Sequence, residues 1–216
     1  FMINGRPLRD GLTSGFNPDL YRSFPIELID HIEIIHGPGS VLHGSNAMAG
    51  VVNVVLKKDM DYSLKTKVTV GNFGYEQANV SGFNSGPDYT ITAGAYSTRS
   101  IGDSFLWLDE VEGKSGSGLL QDFEMGHNAE GVMASGEYKN LKATLWYSDF
   151  VGDSGRGIPD LPSADLGVTR KYFNLEYHQP FSDDWTGSVY YSQLGFHYDC
   201  GSMKLLIITP TARNDC

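Results

Sequence analysis

A two-residue rhythm, set up just beyond Asp61, restricts the fold of this chain more than any other feature. In "SLKTKVTVGNF" Leu64, Thr66, Val68 and Val70 fall on one side and Lys65, Lys67 and Thr69 on the other. "DYTITAGAY" separates Tyr89, Ile91, Ala93 and Ala95 from Thr90, Thr92 and Gly94 in the same way. "LKATLWYSD" separates Leu141, Ala143, Leu145 and Tyr147 from Lys142, Thr144 and Ser148, with Trp146 out of pattern, and "KYFNLEYH" separates Phe173, Leu175 and Tyr177 from Asn174, Glu176 and His178. A period of two places alternate residues on opposite faces of a strand. Each segment therefore reads as a β-strand with one apolar and one polar face.

The connections add an asymmetry. After the tight "NFGYE" turn the links alternate: short at "NSGPD", long over 98–126, short at "YKN", long over 150–170, short at "QPFSDD". In an antiparallel meander alternate links lie at the same end, so one end carries trimmed turns and the other elaborate loops. Outer-membrane barrels have this form, with apolar residues toward lipid and polar residues inside. Tyr89, Tyr96, Trp107, Trp146, Tyr147, Tyr172, Tyr177, Trp185, Tyr190 and Tyr191 fall mostly near strand ends, where amphipathic rings suit a membrane interface. A soluble β-sandwich with one wet face accounts for the same alternation, and the strands alone leave both architectures open.

Composition narrows the partners. With 26 Gly, 12 Tyr and 19% charged residues the chain favours strands and turns. A net charge of -10 excludes a phosphate backbone as partner, because nucleic-acid binding runs on Lys and Arg. Cys200 and Cys216 form neither a disulfide framework nor a structural zinc spacing. No apolar run reaches the roughly 18 residues of a membrane-crossing helix. The opening "FMINGRPLRDG" has no signal-peptide character, so an envelope protein of this sequence is expected to begin upstream.

Residues 36–58, "HGPGSVLHGSNAMAGVVNVVLKK", break the tie. A P-loop needs Lys and Ser/Thr after its last glycine, but Ser45 and Asn46 follow Gly44. The dinucleotide fingerprint begins with Gly37 and Gly39, then meets Leu42, and "GVVNVVLKK" reads as a strand where a helix is required. The longer stretch "IDHIEIIHGPGSVLHGSNAMAGVVNVVLKK" resembles the end of the plug domain of TonB-dependent outer-membrane receptors. Ile29, Ile32, Glu33, Ile35, Gly37, Pro38, Ser40, Leu42, Gly44, Ala47, Gly50, Val51, Asn53 and Lys57 match its pattern. "FMINGRPL" is similar to an upstream plug strand and turn. His36, Gly37, Pro38, Gly39, Ser40, Leu42, Gly44 and Gly50 are then architectural, the glycines and Pro38 shaping tight bends.

The resemblance implies an α/β plug over 1–58, the first strands of an antiparallel transmembrane β-barrel over 59–200, and an atypical, unassigned tail at 201–216. The whole is part of a plugged barrel of about 22 strands. It further implies a receptor in the bacterial outer membrane that binds a ferric siderophore, heme or cobalamin and imports it with energy from the TonB complex, which is contacted through an N-terminal segment. Binding is expected where plug apices meet long loops: Arg9, Tyr21 and Arg22 as cation and aromatic for an anionic or macrocyclic ligand, with Ser45 and Asn46 in the second apical turn. No catalytic constellation occurs, and neither cofactor nor metal is expected, since His31, His36 and His43 match no tight ligand spacing. His31, His36 and His43 stand where the family usually has Arg, Arg and Tyr. Histidine replaces arginine's charge only when protonated, so a plug-to-wall contact at His36 is expected to depend on pH. A soluble or surface-attached carbohydrate-binding module is the alternative reading.

Overall fold

The computed structural model describes residues 1–8, 22–37, 50–102, 104–108, 120–124, 126–153, 165–182, 185–199 and 204–213. Short extended pieces at the start of the chain are β1 (Met2–Ile3) and β2 (Arg6–Pro7), and two longer apolar runs become β3 (Ile29–His36) and β4 (Gly50–Leu56). They form one sheet in the order β2-β1-β4-β3, with β1 parallel to β4 and both outer pairs antiparallel. A single 3-10 turn at Ile26–Leu28 leads into β3. Of the α/β expectation the described residues show the strands, with helical backbone at Arg22.

The alternating segments build a second sheet. Its members are β5 (Leu64–Val70), β6 (Glu76–Ser85), β7 (Tyr89–Ser100), β10 (His127–Tyr138), β11 (Leu141–Asp153), β12 (Asp165–Pro180), β13 (Thr186–Asp199) and β14 (Lys204–Arg213). They lie in sequence order as an eight-stranded antiparallel meander. Within the long link after β7, β8 (Ser104–Leu108) and β9 (Leu120–Glu124) pair as a separate hairpin. β7, β10, β11, β12 and β13 have 12, 12, 13, 16 and 14 residues, longer than the roughly 9–11 that cross a bilayer at a tilt. β14 extends the sheet into the stretch expected to be an atypical tail.

The two faces invert the usual soluble arrangement. Leu64, Val68, Val70 and Val189 are 61–76% exposed, whereas Ser81, Thr92, Thr144 and Asn174 on the polar face are 3–5% exposed. Tyr89, Tyr138, Leu141, Tyr177 and Val189 share one cross-strand row near the short turns, an exposed belt rich in tyrosine. Three aromatics expected at such a belt sit elsewhere: Tyr96, Trp146 and Tyr172 point to the polar face and are buried. Trp146 breaks the alternation because it packs against the small sheet, where an apolar ring is needed on an otherwise polar wall.

Candidate functional site

The small sheet lies on the polar face of the large one, and their interface has two characters. At its apolar part Phe24 meets Trp146 edge-on, centroids 5.1 Å apart. Ile3, Leu28, Val54, Met133, Tyr172 and Leu194 close the same cluster. Burying side chains of this size stabilises by about 1.5–3 kcal/mol each, so the cluster dominates docking. Beside it Arg170, fully buried on β12, donates to Ser23 Oγ at 3.3 Å, and the Tyr96 hydroxyl donates to the Ser23 carbonyl.

The remaining part is polar. Arg6 on β2 reaches Glu176 on β12 through Nε, at 3.4 Å, and through Nη2, with its guanidinium 3.8 Å from the Tyr190 ring centroid. Glu176 is also 2.9 Å from His178 Nε2. Lys58 lies 3.1 Å from Glu137, and Thr92 Oγ1 donates to the Lys57 carbonyl at 3.2 Å. A cavity of about 380 Å³ remains between the layers, lined by Asn53, Thr92, Glu137, Thr144 and Asn174 among others, roomy and polar enough for water. Glu27, before β3, accepts from Lys67 on β5 at 2.8 Å. That hydrogen bond, aided by the charges of Lys67, Lys65 and Lys57, holds the Glu27 carboxyl below its ordinary value against a smaller effect of burial.

The signature residues take local structural roles. Asn53 on β4 donates Nδ2 to Glu33 Oε2 at 2.7 Å, and its Oδ1 accepts the Gly5 amide at 2.8 Å. It thereby ties β3 to the β1–β2 turn. The hydrogen bond from Asn53, then that from His31, lowers the Glu33 carboxyl pKa. Gly50 has φ +154° and stands so near the Ile35 carbonyl that a Cβ would lie 2.6 Å from it, while Gly37 has φ +94°; both suit glycine alone. Pro38, Gly39, Ser40, Leu42, His43, Gly44, Ser45 and Asn46 lie outside the described residues, as do Arg9 and Tyr21.

Among the described residues His36 makes no contact with the large sheet: it is exposed on β3, and the described ion pairs between the sheets come from Arg6, Glu27 and Lys58 instead. β3 is the edge strand of the small sheet away from β1, and beyond Ile29 its residues are exposed. His31, also exposed, is the histidine with acidic neighbours. Its Nδ1 lies 2.7 Å from Asp30 and its Nε2 3.5 Å from Glu33, and the Asp30 hydrogen bond, followed by that to Glu33, raises its pKa.

At the end bearing the long links, Arg22 joins Asn72, Phe73, Tyr75, Ser100 and His127 around an open cleft of about 480 Å³. Arg22 was among the expected ligand contacts. Phe73, Tyr75 and His127 were missed, although a turn facing a basic plug residue at the long-loop end was a readable signal. His127 stacks on Phe150 with centroids 6.0 Å apart.

Residues 1–51 match the TonB-dependent Receptor Plug Domain family. Over that stretch the chain is similar to TonB-dependent receptors. It is 33% identical over 89 residues to the iron-regulated outer membrane virulence protein of Vibrio cholerae, covering 38% of this chain and 13% of that one. With the vitamin B12 transporter BtuB of Vibrio vulnificus it shares 24% identity over 156 residues, 69% of this chain and 24% of that one. The matches thus span about a quarter or less of these curated relatives. The crystal structure of the siderophore receptor PiuA from Acinetobacter baumannii superposes with a TM-score of 0.57 over 91% of this chain and 29% of that chain, at 14% identity, a likeness of fold. A concavity of about 1280 Å³ includes the exposed residues Leu64, Val80, Val132 and Leu145, so it opens on the face of the large sheet turned away from the small one.

Proposed function

We propose that the chain is part of an outer-membrane active-transport receptor. It binds a scarce nutrient, a ferric siderophore, heme or cobalamin, at the mouth formed by the plug and the long loops, and imports it with energy coupled through the TonB complex. On this reading residues 1–58 are plug and residues from 59 onward are strands of a plugged barrel of about 22 strands. The observation that carries the reading is the inverted wall: apolar side chains outward, hydroxyl and amide side chains inward, and a plug docked on the inner face. A carbohydrate-binding sandwich calls for the opposite, with the apolar faces of its strands turned into a core.

The polar cavity between plug and wall supports transport through this interface. Hydrogen bonds there exchange for bonds to water at modest net cost when the layers part, about 0.5–1.5 kcal/mol each. Arg22, with Arg9, Tyr21, Ser45 and Asn46, supplies the plug's side of the ligand mouth.

The test is made on the full-length parent protein expressed with its own leader. A product in the outer-membrane fraction that migrates differently on a gel before and after heating, and takes up an iron chelate, heme or cobalamin only with TonB present, is expected. A product that stays soluble and shows no heat-dependent shift overturns the proposal.

A further inference from the structure

The β5–β6 hairpin closes on an unusual residue. Gly71 N donates to the Tyr75 carbonyl at 2.8 Å and Tyr75 N to the Asn72 carbonyl at 3.2 Å. The two central residues, Phe73 at φ +58° and Gly74 at φ +61°, make this a type I′ turn. Such a turn favours Asn, Asp or Gly at its first central position, and this chain places Asn72 one residue too early. A bulky side chain at positive φ is a genuine outlier.

Packing does not account for the phenylalanine. The turn is anchored to the base of the long link through the Phe73 backbone, whose carbonyl accepts from Ile101 N at 3.0 Å and Gly102 N at 3.3 Å. Gly74 provides the space, since a Cβ there would lie 2.6 Å from Ile101 Cδ1. Any residue supplies that carbonyl, and the Phe73 ring itself stays 59% exposed. It stands on the rim of the cleft that also holds Arg22, Tyr75 and His127. Strained backbone of this kind persists where the side chain it presents has a use.

The geometry points to Phe73 as a ligand-contact residue: its ring is a stacking platform, on the same cleft as Arg22, for a ligand that joins a flat conjugated ring to negative charge. Ring stacking and a nearby cation act together on such a ligand, and neither recognises an uncharged ligand without rings. The inference rests on the receptor reading and gives its mouth a chemical preference.

The strain allows the two roles of Phe73 to be separated. Full-length receptor is compared with Phe73→Asn and Phe73→Trp, using the ferric complex of 2,3-dihydroxybenzoate as the anionic aromatic probe and ferric citrate as the anionic, ring-free one. Asn tolerates positive φ, so Phe73→Asn is expected to melt higher than the parent. It is also expected to bind the aromatic probe about tenfold more weakly, the effect of one stacking contact, while Phe73→Trp keeps the affinity and the ring-free probe is indifferent to both changes. Unchanged aromatic binding by Phe73→Asn, or equal loss for both probes, overturns the platform and leaves the receptor reading standing. A parent receptor that takes up no iron chelate, heme or cobalamin overturns that reading, and the platform with it.

Discussion

The contact between Arg6 and Glu176 is a direct handle on plug docking. The side chains are 20% and 13% exposed, between a surface pair at about 0–1 kcal/mol and a buried pair whose breakage costs about 3–5 kcal/mol. Two charge-assisted contacts and the Tyr190 ring beneath the guanidinium place the expected coupling near 2 kcal/mol. His178 keeps a partner on Glu176 when Arg6 is removed, which holds the single-variant cost of Arg6→Met below that of a stranded carboxylate. The measurement is a double-mutant cycle of Arg6→Met and Glu176→Gln in the full-length receptor, read by amide exchange in β1 and β2. Faster exchange in each single variant is expected, with a cycle energy of about 2 kcal/mol. A cycle energy under about 0.5 kcal/mol, the level of a solvated pair, refutes the argument, and so does unchanged exchange in Arg6→Met.

Other outcomes follow from the same geometry. Trp146→Ala removes the ring against Phe24 and should destabilise the docked plug by about 3–5 kcal/mol, seen as a lower melting temperature, whereas Leu145→Ala on the exposed outer face should alter amide exchange in the plug little. Gly50→Ala forces a side chain onto the Ile35 carbonyl and should cost about 1–3 kcal/mol, with β3–β4 amides exchanging faster; an unaltered exchange pattern contradicts the close approach. Glu27 has a lowered carboxyl pKa, so its contact with Lys67 adds stability above the ordinary carboxylate value and loses it as pH falls through the lowered folded value. Exchange at Ile26–Leu28 should therefore accelerate on the acid side, and Glu27→Gln should flatten that dependence. His31 should titrate above an ordinary imidazole by NMR, because Asp30 holds its proton, keeping that proton and the Asp30 contact below its midpoint and releasing both as pH rises through it. Asp30→Asn should bring the midpoint down, and an unmoved midpoint removes Asp30 as the cause.

The strands were legible because alternation is a local signal, and the order of the large sheet followed from the link lengths. The pattern of Val68 and Thr69 states that the two faces differ; it does not state whether the apolar one meets a core or lipid. That distinction came from the plug motif, a separate stretch of sequence. Trp146 was readable as an exception, yet its meaning required Phe24, which lies far upstream. The Arg6–Glu176 pair joins residues 170 positions apart and has no local signature, so the basic plug contact was sought at His36, where the family usually carries arginine. Phe73 escaped notice for another reason: a tight turn was evident, but its hand is set by backbone dihedrals that the letters "NFGY" leave open.

The division of the plug interface into a dry part and a wet part gives it a direction of release. Polar contacts beside the cavity, such as Thr92 to the Lys57 carbonyl, exchange for bonds to water as soon as they are strained. The rings of Phe24 and Trp146 gain nothing from water until they are fully apart. A pull that reaches the plug is therefore expected to open the side facing Glu137 and Glu176 first, with the Gly5 and Arg6 amides exchanging before those at Ile26–Leu28. The aromatic contact then acts as a pivot, and the gap widens along threonine and asparagine side chains already suited to a hydrated solute.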